Sequence, residues 1–161
     1  NNGVTWNLIA KNIVDISYDW EVPTKKKNKT NCLVKVVSYD ASGDKLKKDT
    51  SDGVFSIEVL AIESPNGGEV FTSGELVPIE WTSNGTKQEV AEVVLKYTKN
   101  GGDRWIAIDR VSGDPGAYDW IVPEVPKVKS KCRVKVALKD AAGNTVGKDI
   151  SDADFVIEPE L

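Results

Sequence analysis

Apolar and polar residues alternate along much of the chain, which is the period of strands with one buried face. Val77, Ile79 and Trp81 fall on one side, and Pro78, Glu80 and Thr82 on the other. Pro78 has no N–H to give a ladder, so this strand is expected at a sheet edge or beginning there. Ala91, Val93, Leu95 and Tyr97 alternate with Glu92, Val94, Lys96 and Thr98. The pattern is clearest at 131–139, where Cys132, Val134, Val136 and Leu138 face inward and Arg133, Lys135 and Lys139 outward. Further strands are expected over 104–110, 117–122 and 153–158, and no stretch carries a helical period. The connections are rich in turn formers: Asn66-Gly67-Gly68, Asn84-Gly85, Asn100-Gly101-Gly102 and Asp140-Ala141-Ala142-Gly143-Asn144.

The same pattern occurs twice. Shifted by 100, Tyr18-Asp19-Trp20 falls on Tyr118-Asp119-Trp120, Val22-Pro23 on Val122-Pro123 and Cys32 on Cys132. Val34-Lys35-Val36 falls on Val134-Lys135-Val136, and Phe55, Ile57 and Glu58 on Phe155, Ile157 and Glu158. From 18 to 58, 21 of 41 positions are identical. Upstream, a shift of 99 matches Asn1, Gly3, Trp6 and Ile9 to Asn100, Gly102, Trp105 and Ile108.

Residues 62–99 have no earlier counterpart. The expected domains are therefore 62–161, a complete repeat, and 1–61, the C-terminal part of a truncated one. Each complete repeat holds about seven short strands in about 100 residues, which predicts an all-β, immunoglobulin- or fibronectin-III-like β-sandwich in tandem repeats. Leu60-Ala61-Ile62-Glu63-Ser64-Pro65 is no Gly/Ser linker, so one unit is expected to run stiffly into the next. A half sandwich leaving ~600 Å² of apolar surface wet forfeits about 15 kcal/mol, comparable to a domain's whole stability. The truncated copy is accordingly expected to have lost strands by processing, to be completed by a second chain, or to receive strands from another partner.

The complete unit carries Ser64-Pro65-Asn66-Gly67-Gly68-Glu69, then Ile79-Glu80-Trp81-Thr82-Ser83-Asn84-Gly85. Gly116-Ala117-Tyr118-Asp119-Trp120-Ile121-Val122-Pro123, Cys132-Arg133-Val134-Lys135-Val136 and Ser151-Asp152 with Phe155-Val156-Ile157 follow. This series resembles the Ser/Thr-rich, Kre9/Knh1-like domain of fungal cell-wall proteins and its bacterial and archaeal relatives. The resemblance covers 62–158 and, truncated, 1–58. It implies a non-catalytic β-sandwich of secreted or cell-surface proteins, and it brings no catalytic residue.

Composition narrows the chemistry. The 161 residues are 40% hydrophobic and 29% charged, which fits a globular protein. No apolar run is long enough to span a membrane, so no membrane insertion is expected. The net charge of −4 argues against a nucleic-acid partner. The absence of His removes Ser-His-Asp and Cys-His catalysis. With no Met either, the chain is expected to be a processed or excised piece of a longer protein.

Trp81, Trp20 and Trp120 are expected in cores, with Trp6 and Trp105 partly exposed. Cys32 and Cys132, one per repeat, are expected to be buried free thiols in separate cores. Asp140, Asn144, Asp149, Asp152 and Asp154, with Asp40, Asp44, Asp49 and Asp52, supply oxygen ligands of the Ca²⁺ type but without the spacing of an EF-hand loop. The same residues are also ordinary hairpin chemistry, so no metal or cofactor residue is assigned. Lys25, Lys26, Lys27 and Lys29, mirrored by Lys127, Lys129 and Lys131, read as a solvated loop. Asn28-Lys29-Thr30 and Asn84-Gly85-Thr86 fit the glycosylation sequon.

The expected function is a structural spacer or assembly module of a larger secreted or cell-surface protein, such as a surface layer, wall protein or adhesin. Its partners are copies of itself or neighbouring domains. The alternative is a carbohydrate-binding or accessory module of a secreted hydrolase. Polysaccharide binding requires exposed, coplanar rings, for instance Trp105 with Tyr97 or Tyr118. No enzyme activity is expected.

Overall fold

The computed structural model describes residues 1–25 and 27–160. Lys26 and Leu161, each part of an expectation above, lie outside the described residues. The chain divides into two compact units, one of 1–23 and 29–57, the other of 24–28 and 58–161. Among the described residues there are thirteen strands and no helix.

The second unit contains β5 (Leu60–Ser64), β6 (Val70–Thr72), β7 (Leu76–Ser83), β8 (Glu92–Thr98), β9 (Ile106–Ser112), β10 (Ala117–Ile121), β11 (Lys129–Lys139), β12 (Thr145–Ile150) and β13 (Phe155–Glu158). They form two sheets, β10-β7-β5 and β6-β13-β11-β8-β9, with β12 also on β11. The long β11 organises the larger sheet: β8 lines it from Arg133 to Lys139, while β13 and β12 pair with its two ends in turn. Leu60, Ile62, Val77, Ile79, Trp81 and Trp120 of the small sheet share one core with Val93, Leu95, Tyr97, Cys132, Val134, Val136, Leu138, Phe155 and Ile157 of the large one. This unit is a two-layer β-sandwich, and period-2 alternation chose its inward residues.

Several local features differ from the expectations. β7 is the central strand of its sheet, not an edge. Pro78 is tolerated because pairing with β5 ends at Glu80↔Ser64, while β10 continues past Pro78 at Asp119. The Trp81 N–H points to Gly116 of the β10 side, so by alternation position 78 faces the side that β5 has already left. Val94 and Thr98, expected outward, are buried, and Ala91, expected inward, is exposed. Thr98 is drawn in by a turn: its hydroxyl donates to Asn100 Oδ1 at 2.7 Å and accepts the Gly102 N–H at 3.1 Å. That turn delays β9 to Ile106. Finally, β12 carries no alternation signal because Gly147 interrupts it. A Cβ there would press on the side chains of Leu138 at 3.0 Å and Val59 at 3.1 Å, so the close approach favours glycine.

The first unit contains β1 (Lys29–Cys32), β2 (Lys35–Tyr39), β3 (Lys45–Thr50) and β4 (Phe55–Ile57). They form two separate pairs, β1-β4 and β2-β3. The registers are those of the second unit moved by 100. Lys29↔Ile57 and Cys32↔Phe55 repeat Lys129↔Ile157 and Cys132↔Phe155. Lys35↔Thr50 through Tyr39↔Lys45 repeats Lys135↔Ile150 through Lys139↔Thr145, including the irregularity at the end. Trp20 meets Phe55 edge-on at 6.2 Å, as Trp120 meets Phe155 at 6.3 Å.

Candidate functional site

The most distinctive side-chain arrangement outside the core is a tryptophan capped by a lysine. Trp105 leaves the Asn100-Gly101-Gly102 turn, and its ring lies under the ammonium of Lys135, 3.6 Å from the centroid. Lys135 sits outward on β11, directly opposite Lys96 of β8. Burial first, then the charges of Lys148 and Lys96, pull the Lys135 ammonium below the ordinary lysine range. The first unit repeats the stack, with Lys35 lying 4.0 Å from the Trp6 ring centroid. An ammonium over an aromatic face is favourable by about 0.5–1 kcal/mol at such exposure. It also occupies the face on which a sugar ring would stack.

The other rings of the polysaccharide-binding alternative are dispersed. Tyr97 is buried in the core against Trp120, with centroids 5.4 Å apart. Tyr118 is half-buried at the edge of that core. The Trp105–Tyr97 platform that the polysaccharide-binding alternative requires does not form, because Tyr97 alternates in phase with Val93 and Leu95. Trp81 and Trp120 are core residues as expected, and Trp6 and Trp105 are partly exposed.

The aspartates do not converge on a cation. Asp140 Oδ1 accepts the Ala142 N–H at 3.0 Å and the Asn144 N–H at 2.8 Å, and Oδ2 takes the Asn144 side-chain amide at 3.1 Å. These bonds, the Asn144 side chain foremost, hold its carboxyl below the ordinary range. Asp40 repeats the turn with the N–H groups of Ser42 and Asp44, each at 2.9 Å. Asp149 Oδ2 accepts the Ile62 N–H at 2.9 Å, Asp152 Oδ2 the Asn66 amide at 3.0 Å and Asp154 Oδ1 the Arg133 Nε at 2.5 Å. Among the described residues no three His, Cys, Asp or Glu side chains group as metal ligands would.

The two cysteines differ. Cys132 is fully buried, and burial pushes its thiol up to about 11. Cys32, expected to be equally buried, is only half-buried. The strands that cover Cys132 in its own unit have no counterpart among the described residues of the first. Asn28 is tied into the backbone at the start of β5: its Oδ1 accepts the Val59 N–H at 2.8 Å and its Nδ2 donates to the Leu60 carbonyl at 2.7 Å. The amide nitrogen a glycan would use is thus already engaged. Asn84 Nδ2 donates to the Glu58 carbonyl at 3.0 Å. Asn28 has no counterpart in the repeat, where Val128 stands, so its structural role was not legible in the sequence.

No family model matches the chain, and no curated protein matches it. Among solved structures it is similar to fibronectin(III)-like modules of CbhA from Clostridium thermocellum. The identity is 15%, over 63% of this chain and 99% of that one, with a TM-score of 0.47. The sandwich described above rests on this chain's own pairing and core.

Proposed function

We propose that this chain is a non-catalytic structural or accessory module, built of tandem immunoglobulin- or fibronectin-III-like repeats of the Kre9/Knh1-like type, in a secreted or cell-surface protein. The observation that carries this reading is the recurrence of the pairing register at an offset of 100, down to the Trp–Lys stack and the Asp-headed hairpin turn. Duplicating a pairing scheme together with its turns and surface stack preserves a shape, which is the property selected in a spacer or assembly element. The side chains that could carry chemistry are committed to that shape: the hairpin aspartates cap turns, and the exposed tryptophans are covered by lysines. Partners are then neighbouring repeats or copies of the same protein, meeting through sheet edges.

The test is where the protein resides. An antibody against the second unit should find its antigen in the cell-envelope or culture-fluid fraction of the source cells. An antigen confined to the cytoplasm would sink the reading.

A further inference from the structure

The second unit carries opposite charge on its two outer faces. On the large sheet, Lys96 of β8 stands directly opposite Lys135 of β11. Lys148 of β12 pairs with Ala137, the next outward position along β11. All three lysines point away from the core, since the residues flanking Lys96, Lys135 and Ala137 on their strands are buried. They are close enough to act on one another: after burial, the charges of Lys148 and Lys96 are what lower the Lys135 ammonium. Arg110 and Arg133 of this sheet are neutralised by Glu92 and Asp154, but among the described residues none of the three lysines has an ion-pair partner. The chain has 25 acidic residues against 21 basic ones, so the bare cationic row is a matter of placement and not of supply.

The small sheet shows the reverse. Glu63 of β5, Glu80 of β7 and Asp119 of β10 are exposed on its outer face, and these three strands hold no lysine or arginine. Beside them Leu76 and Ile121 face each other across β7 and β10, 62% and 66% exposed. Each set of charges is spread over three adjacent strands, and at about 4.8 Å between strands both sets span about 10 Å. We infer that the basic face of the large sheet docks onto the acidic face of the small sheet of a second copy of this chain. Lys96, Lys135 and Lys148 are matched there with Glu63, Glu80 and Asp119, while Leu76 and Ile121 lie against the apolar stems of the lysines. The two faces look away from each other across the sandwich, so one molecule cannot join its own. Pairing either face with itself would lay like charge on like. The contact is therefore head-to-tail, and it leaves a free face at each end of a growing stack. This rests on the reading of copies of the same protein as partners, and adds a face contact to the sheet edges named there.

The full chain tests this in solution. Light scattering at about 10 mM salt should show a mass that rises with concentration past the dimer. At about 1 M salt, where the Debye length has shrunk from about 30 Å to about 3 Å, it should return to the monomer. The apparent association constant should fall at least ~100-fold between the two conditions. Reversing one face at a time should abolish association. Glu63→Lys with Glu80→Lys and Asp119→Lys makes both faces basic, and Lys96→Glu with Lys148→Glu makes both acidic. Each variant alone should stay monomeric, and the two mixed should associate, because each then offers the charge the other lacks. Cys132 should stay unreactive in both variants, which reports an intact second core.

A parent chain that stays monomeric at millimolar concentration and low salt would overturn the inference. So would association that ignores salt or survives either reversal, since another surface would then carry it. A mixture of the two variants that stays monomeric would do the same. Polygalacturonate tests the other occupant that a basic face suits. A parent chain that remains monomeric while this polymer shifts its Lys96 and Lys135 amide resonances would overturn the inference and give the face to an anionic polymer. None of these failures would touch the envelope-fraction result, so the two readings fail separately.

Discussion

Asp149 of β12 accepts the backbone N–H of Ile62 of β5 at 2.9 Å, joining the two sheets of the second unit through one carboxylate. Burial raises the Asp149 carboxyl above the ordinary aspartate range, with the Asp152 charge adding to it, and outweighs the help of the Ile62 and Ile150 amides. A raised folded-state value means that the folded form holds the proton more tightly than the unfolded one. Ionised Asp149 therefore costs stability at neutral pH, and the cost is relieved as pH falls through the raised value. Asp149→Asn keeps an oxygen for Ile62 and removes the charge. Its melting temperature at pH 7 should equal or exceed that of the parent, and the advantage should vanish at pH 3. A variant that melts well below the parent at pH 7 would show that the charge strengthens the strap.

Ser151 is a buried knot in the same region. Its hydroxyl donates to the Pro65 carbonyl at 2.9 Å and accepts the Val134 N–H at 3.0 Å. Ser151→Ala strands that N–H in the interior and should cost about 1–3 kcal/mol, read by denaturant unfolding of the full chain. Ser51 also accepts the Val34 N–H, at 3.2 Å, but in an exposed setting where water can replace it. Ser51→Ala should cost markedly less.

Equivalent core positions should respond unequally. Val136→Ala removes fully buried methyl groups and should cost about 2–3 kcal/mol. Val36→Ala trims a side chain that is already wet and should change stability by no more than about 0.5 kcal/mol. Equal costs would mean that the first unit is covered in solution.

Lys96 and Lys135 face each other across β8 and β11 with no carboxylate within ion-pair distance of either among the described residues. Like charges directly opposite are unfavourable. Lys96→Glu should stabilise the fold by about 0.5 kcal/mol, and the gain should shrink in 1 M salt. A gain indifferent to salt would point to strand propensity instead.

The thiols report on the same asymmetry. In the native chain one thiol, Cys32, should react promptly at pH 8. Cys132, buried and with its thiol pushed up to about 11, should react only on unfolding. Two promptly reacting thiols would mean that the second core opens readily.

Much of this architecture was legible in the residues. Period-2 alternation named Val77, Ile79, Trp81, Val93, Leu95, Tyr97 and the inward residues of 131–139, because side-chain direction along a strand follows from backbone geometry alone. The internal repeat announced that Trp20 and Trp120, or Cys32 and Cys132, would take the same place in the same pairing. It also located the hairpin turns, since Asp-x-x-Gly is a local hydrogen-bonding unit that needs no distant partner.

What the tertiary structure alone decided is everything that depends on which residue stands on the other side. Pro78 is tolerated in a central strand because β5 stops pairing at Ser64, before reaching it. Asn28 became a backbone tie because Val59 and Leu60 lie beside it, and Asp149 became a strap because Ile62 does. Cys32 and Cys132 take matching positions in the repeat and have different exposure, since burial belongs to the pair of faces rather than to either strand. Alternation says which way a side chain points; only the fold says whether anything is there to meet it.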